Sequence, residues 1–140
     1  MKQMRHIAVA IERTSEYGRR FLRGVADFFD AYPNAPAWVA DALAYIGNEI
    51  GAGISASDVF RRAGYSRTLV ERAFRQVLGM TVQEKIAEMR IDAAKRLLVS
   101  TSLPIKDIAA RTGFRSVSYF TRAFGAASGQ SPAGYRRNPA

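Results

Sequence analysis

The stretch TVQEKIAEMRIDAAKRLLVS, residues 81–100, lies between two segments of the same kind. DVFRRAGYSRTLVERAFRQVLG precedes it from Asp58, and DIAARTGFRSVSYFTRAFGAASG follows it from Asp107. Asp58, Arg62, Gly64 and Tyr65 match Asp107, Arg111, Gly113 and Phe114 at an offset of 49. Arg72, Ala73, Phe74 and Gly79 then match Arg122, Ala123, Phe124 and Gly129 at an offset of 50, so the second copy carries one extra residue after its glycine turn. Residues 81–100 read as one helix. Thr81-x-x-Glu84 is a capping box, and Val82, Ile86, Met89, Ala93, Leu97 and Leu98 mark an inward stripe. Such a helix spans about 28 Å at ~1.5 Å per residue. It is a spacer, and what it spaces decides the function.

Each copy reads as a short helix, a glycine turn and a second helix, the helix-turn-helix arrangement. In the first copy Ser55 and Asp58 open a helix in capping-box fashion, Gly64 ends it, and Ser66 opens the next. Leu69 or Val70, with Ala73, Phe74, Val77 and Leu78, faces inward there, and Gly79 closes the helix. In the second copy a helix over 105–112, a turn at Gly113 and a helix from Ser116 repeat the pattern. A final short helix follows from Ser131, with Tyr135 packing back. In this motif the second helix puts its N-terminal face into the major groove of DNA.

The exposed face of that helix carries Arg67, Thr68, Glu71, Arg72 and Arg75 in the first copy. In the second it carries Arg115, Ser116, Val117, Ser118, Thr121 and Arg122. Arginine pairs bidentately with guanine, Glu accepts from cytosine, and Val touches the thymine methyl. Ser and Thr at helix starts bind phosphate through hydroxyl and backbone N–H. One helix–glycine–helix is an ordinary αα-hairpin. Two basic copies at fixed separation are not, and ~28 Å approaches the ~34 Å helical repeat of DNA.

Composition agrees. The chain has 140 residues and a net charge of +9, enough for one ordinary core with an appendage. Residues 1–37 hold six basic and four acidic side chains, and residues 38–140 hold fifteen and eight, giving +2 and +7. The excess lies with the repeat and suits a polyanion, nucleic acid or an anionic membrane surface. No apolar run approaches the ~20 residues of a membrane span. The N-terminus is too polar for a signal peptide, and zero cysteines fit a reducing cytoplasm. One histidine (His6, read as a surface residue) and scattered carboxylates offer no metal cluster, no triad and no cofactor site, so an enzyme is not expected.

Upstream the pattern changes. Residues 6–11, HIAVAI, read as a buried strand, and Tyr17, Phe21, Val25, Phe28 and Tyr32 follow at helical spacing behind Thr14-Ser15. That βα unit has no second strand to pair with. Residues 34–37 read as a linker, and a helix over 38–52 begins the remainder, with Trp38 as a packing anchor and Val39, Leu43, Ile46 and Ile50 on one face. The predicted organisation is therefore 1–33, a βα segment; 34–37, a linker; and 38–140, an all-α domain. In that domain helix-turn-helix units over 55–79 and 104–128 flank the helix 81–100. Arg90, Lys95 and Arg96 on that helix are read as solvated-face residues with phosphate contact as the alternative.

Residues 38–137, 100 of the 140, resemble the DNA-binding domain of the AraC/XylS family of bacterial transcription regulators. The resemblance rests on AGYSRTLVERAFRQVLGMT (63–81), RIDAAKRLLVSTSLPIKDIAARTGF (90–114) and SYFTRAFGAASGQSPAGYR (118–136). It implies two helix-turn-helix subdomains bridged by a long helix, with double-stranded promoter DNA and RNA polymerase as partners. It also implies that Thr68, Glu71, Arg72, Val117, Ser118 and Arg122 contact bases, and that Phe74, Phe124, Leu97 and Leu98 are core. Residues 5–29, RHIAVAIERTSEYGRRFLRGVADFF, resemble the opening βα of the LacI-like sugar-sensing domain that XylR-type xylose-operon regulators carry ahead of an AraC-type domain. Without the rest of that sensor, no sugar binding is expected. The reading is a cytoplasmic, sequence-specific transcription regulator. The alternative is an interaction protein that docks, or forms a homodimer, through residues 16–32.

Overall fold

Five serine and threonine residues set where helices begin in the computed structural model, which describes residues 27–139. Helix α1 (Ala37–Glu49) starts after Pro36 and runs into a 3-10 turn (Ile50–Ala52) that Gly53 ends. Helix α2 (Ala56–Ala63) begins at Ser55, whose backbone N–H donates to Asp58 Oδ2 at 2.8 Å. That bond, more than the neighbouring Arg61, holds the Asp58 carboxyl below its ordinary pKa. Helix α3 (Arg67–Leu78) begins at Ser66. Helix α4 (Val82–Ser100) begins at the Thr81/Glu84 capping box, where Thr81 N–H donates to Glu84 Oε2 at 2.7 Å.

The second half repeats the plan. Helix α5 (Ile105–Arg111) follows Pro104, α6 (Val117–Ser128) begins at Ser116, and α7 (Pro132–Arg137) begins at Ser131. Among the described residues every element is helical, as expected for residues 38–140, and no helix is long and apolar enough to cross a membrane. The strand expected at 6–11, the helix expected from 14 up to residue 26, and His6 lie outside the described residues. Residues 27–31 are helical, and Phe28 packs on the core of the first half.

Gly64 and Gly113 make the two turns at φ 75° and φ 85°, a region that side chains with a Cβ resist. The turns differ by the extra residue, Arg115. Ser66 caps α3 two residues after its glycine, and Ser116 caps α6 three residues after its own. The longer turn lets Phe114 fold inward to 9% exposure. Its counterpart Tyr65 stays 48% exposed and lies against Trp38, ring centroids 5.0 Å apart.

Two separate cores result. Val39, Ile46, Val59, Val70, Phe74, Val82 and Ile86 fill the first. Ile91, Ala94, Leu98, Ile108, Phe114, Phe120, Phe124 and Tyr135 fill the second. Its aromatic rings run in sequence, with centroids 4.9 Å (Phe114–Phe120), 5.7 Å (Phe120–Phe124) and 5.4 Å (Phe124–Tyr135) apart, the tilted and edge-on contacts aromatic rings favour. Of the pair Leu69/Val70, Val70 is the buried one.

The single inward stripe expected on α4 is corrected here. Val82, Ile86 and Met89 serve the first core, whereas Ile91, Ala94 and Leu98, with Leu97 beside them, serve the second. Ala93 is only half-buried. At 3.6 residues per turn the two sets lie roughly 150° apart around the helix. A one-stripe pattern assumes one partner, and α4 has two.

Because the cores share no residue, conservative substitutions in the two should act additively. Ile86→Val and Ile108→Val should each cost about 0.5–1.5 kcal/mol, and the double variant should equal their sum within ~0.5 kcal/mol. Urea denaturation of the three variants measures this. A larger discrepancy would mean that α4 couples the cores.

Candidate nucleic-acid interface

The serine caps that start α3 and α6 also decide which side chains face solvent. Ser66 Oγ accepts from Leu69 N–H at 3.2 Å, and Ser116 Oγ accepts from Tyr119 N–H at 3.1 Å. Each cap satisfies an orphan donor and fixes the rotation of the first turn. Burial of Val70 and Phe74 then turns Arg67, Thr68, Arg72 and Arg75 outward. Burial of Phe120 and Phe124 does the same for Val117, Ser118, Thr121 and Arg122, and Arg115 and Ser116 are exposed in the turn before them. On α3 this face forms an open depression of about 490 Å³ lined by Arg67, Thr68, Glu71, Arg72, Arg75 and Gln76.

The charge on these faces is uncompensated. The ion pairs between described residues are Arg61–Asp58 and Lys85–Glu88, both within one helix. Neither involves Arg72, Arg75, Arg115 or Arg122. Arg67 lies over the Phe60 ring, its guanidinium carbon 5.8 Å from the centroid, which braces the side chain without neutralising it. Exposed guanidinium groups with no acidic partner are available to phosphate or guanine. Among the described residues no group of His, Cys, Asp and Glu is placed to hold a metal ion.

Glu71 departs from the expected arrangement. It is half-buried, and its Oε2 accepts from the backbone N–H of Val82 at 3.2 Å. Val82 is the first residue of α4, so the carboxylate meets the positive end of that helix and one of its orphan donors. Glu71 thus ties α3 to α4 while bordering the depression that the arginines line. Nothing local in the sequence signals this, because the partner lies eleven residues on.

Two residues of the central helix also differ from their expected solvated roles. Arg90 donates from Nη2 to the carbonyl of Ile54 at 2.7 Å, and its Nε is buried without a hydrogen-bond partner. Burial lowers its pKa; nearby Tyr119 opposes that shift and Arg115 reinforces it. Lys95 places its Nζ 5.9 Å from the centroid of the Tyr135 ring. Arg96 is exposed.

Three members of the surface are not expected there from sequence, which offers Leu69 only as the alternative to Val70 for the inward face. Gln76 is one turn beyond Arg72 on the same face, so helical periodicity points to it. Leu69 and Tyr119 correspond at the repeat offset of 50 and are both exposed, at 44% and 53%. A matched pair of exposed apolar residues beside two basic faces is the signal that was available.

A family model for a helix-turn-helix domain matches residues 59–138. The chain belongs to this family. Its AraC-type domain is similar to part of the xylose operon regulatory protein of Escherichia coli (strain K12), with 34% identity over 98 residues. That match covers 70% of this chain and 25% of the relative, so the chain spans about a quarter of the length of that protein. Among solved structures, the C-terminal domain of AraT, a response regulator from Geobacillus stearothermophilus, superposes with a TM-score of 0.70 and 32% identity, covering 74% of this chain and 87% of that one. The DNA-binding domain of AdpA, a global transcriptional factor solved in complex with a target DNA, superposes with a TM-score of 0.67 and 28% identity, covering 70% and 88%.

The position of Glu71 gives a test that separates it from its neighbours. Glu71→Ala should lower thermal stability, by about 1 kcal/mol for the lost bond to a helix N-terminus. It should leave the base preference of the AraC-type domain unchanged in a binding selection on randomised duplex.

Proposed function

We propose that this chain is a sequence-specific, double-stranded DNA-binding transcription regulator that works without catalysis, in the cytoplasm. It sets α3 and α6 into successive major grooves on one face of the duplex. The observation that carries the proposal is the repeated, exposed and unpaired arginine face on two helices held by one spacer of about 28 Å. The names of the relatives support it, as does the neighbour solved with its target DNA.

In this proposal the contacts divide by chemistry. Arg72 and Arg122 read base edges, with Thr68, Val117, Ser118 and Thr121 completing the groove surface. Arg67, Arg75, Arg115 and Ser116 hold the phosphates that set register. Glu71 is assigned to positioning α3. Promoter DNA is the primary partner, and RNA polymerase is the protein partner that membership of the family suggests. The organisation proposed is a domain over 38–140 behind a linker at 34–37. The resemblance of residues 5–29 to the opening of a sugar-sensing domain is what supports a sensor ancestry for 1–33.

Affinity for a selected duplex should fall with salt at a log–log slope of about −0.9 per neutralised phosphate. A slope near zero in a fluorescence titration would remove the electrostatic basis of the proposal. Arg72→Ala and Arg122→Ala should each cost about 1–3 kcal/mol on the selected duplex and little on random duplex. Equal losses on both would reassign these arginines to phosphate.

A further inference from the structure

The two cores share no residue, so α4 and whatever else bridges the halves must fix how α3 and α6 are oriented to each other. The second bridge is a seam of backbone packed on backbone. A Cβ on Gly51 would lie 2.8 Å from the carbonyl oxygen of Arg111. A Cβ on Gly113 would overlap the carbonyl oxygen of Ile50 and lie 3.1 Å from Arg90 Nε. The 3-10 turn of the first half thus rests directly on the end of α5 and the turn leading to α6, backbone against backbone at Gly51 and Gly113. Arg90 occupies the middle of this seam. It rises from α4, donates to Ile54 in the first half, and lies against Gly113 in the second.

We propose that Arg90 is a positioning residue that locks the two halves of the domain in one register and so sets the half-site spacing the protein accepts on DNA. This rests on the two-groove reading above. A guanidinium is suited to the task, because its planar fork reaches a carbonyl in one fixed direction, whereas a lysine ammonium is a point charge on a flexible stem. Enclosing Nε without a partner is unfavourable. The side chain is therefore held there by its bond to Ile54 and by the packing around it. The proximity of Arg115, in the turn that leads into α6, puts the seam beside the second groove-reading element.

The probe is a duplex selected by the unaltered chain from randomised DNA, remade with one base pair inserted or removed between its two contacted segments. One base pair moves a half-site by ~3.4 Å and turns it by ~35°. The unaltered chain should lose about tenfold or more on either change, and Arg90→Lys should lose less than about threefold while binding duplexes with a single half-site as the unaltered chain does. Gly51→Ala, which wedges the seam and leaves Arg90 in place, should shift the preferred spacing. Cooperative thermal melting of both variants checks that they are folded. If Arg90→Lys and Gly51→Ala, both folded, keep the spacing profile of the unaltered chain, Arg90 is fold support only and the inference fails. If the unaltered chain binds no duplex, or binds all spacings alike, the two-groove reading fails and the inference falls with it. That outcome is visible before any variant is made.

Discussion

One helix in this chain buries two apolar faces that point in different directions. Helix α4 gives Val82, Ile86 and Met89 to the first core and Ile91, Ala94 and Leu98 to the second. Every other element is placed by that division. Helices α2 and α3 close over one end of α4, and α5, α6 and α7 close over the other. The stripes lie roughly 150° apart around the helix axis, so the two halves cover different sides of α4. An amphipathic helix with one stripe would stack both halves on the same side.

The ends of α4 are secured by contacts distant in sequence. At its start Glu71 meets the Val82 N–H. At its end Arg136 donates from Nε to the carbonyl of Leu98 at 3.1 Å, satisfying one of the orphan acceptors of the last turn. A carboxylate at the N-terminus and a guanidinium at the C-terminus both suit the helix dipole. The spacer is thus clamped by one charged residue from each half.

What the sequence made legible follows the range of the interactions. The starts of α2, α3, α4, α6 and α7 could be read because Ser55, Ser66, Thr81, Ser116 and Ser131 bond to groups three residues on, within a single turn. The duplication exposed the two faces of the candidate interface, since each copy serves as a template for the other. Long-range partners left no such trace. Arg90 reaches back 36 residues to Ile54, and Lys95 lies over Tyr135, forty positions ahead. Ile91 and Ala94 escaped for a related reason: a periodic pattern is legible only while a helix keeps one face to one partner.

The unequal turns carry a consequence of their own. Two identical units related by a two-fold axis are matched by palindromic DNA. Here the units are unlike and lie in a fixed order along one chain, with Tyr65 against Trp38 in one and Phe114 folded into its core in the other. A reader built this way has a front and a back. Bound as proposed, it prefers an asymmetric sequence and lies on it in one orientation, so that the same site inverted presents the opposite flank of the protein to whatever stands beside it.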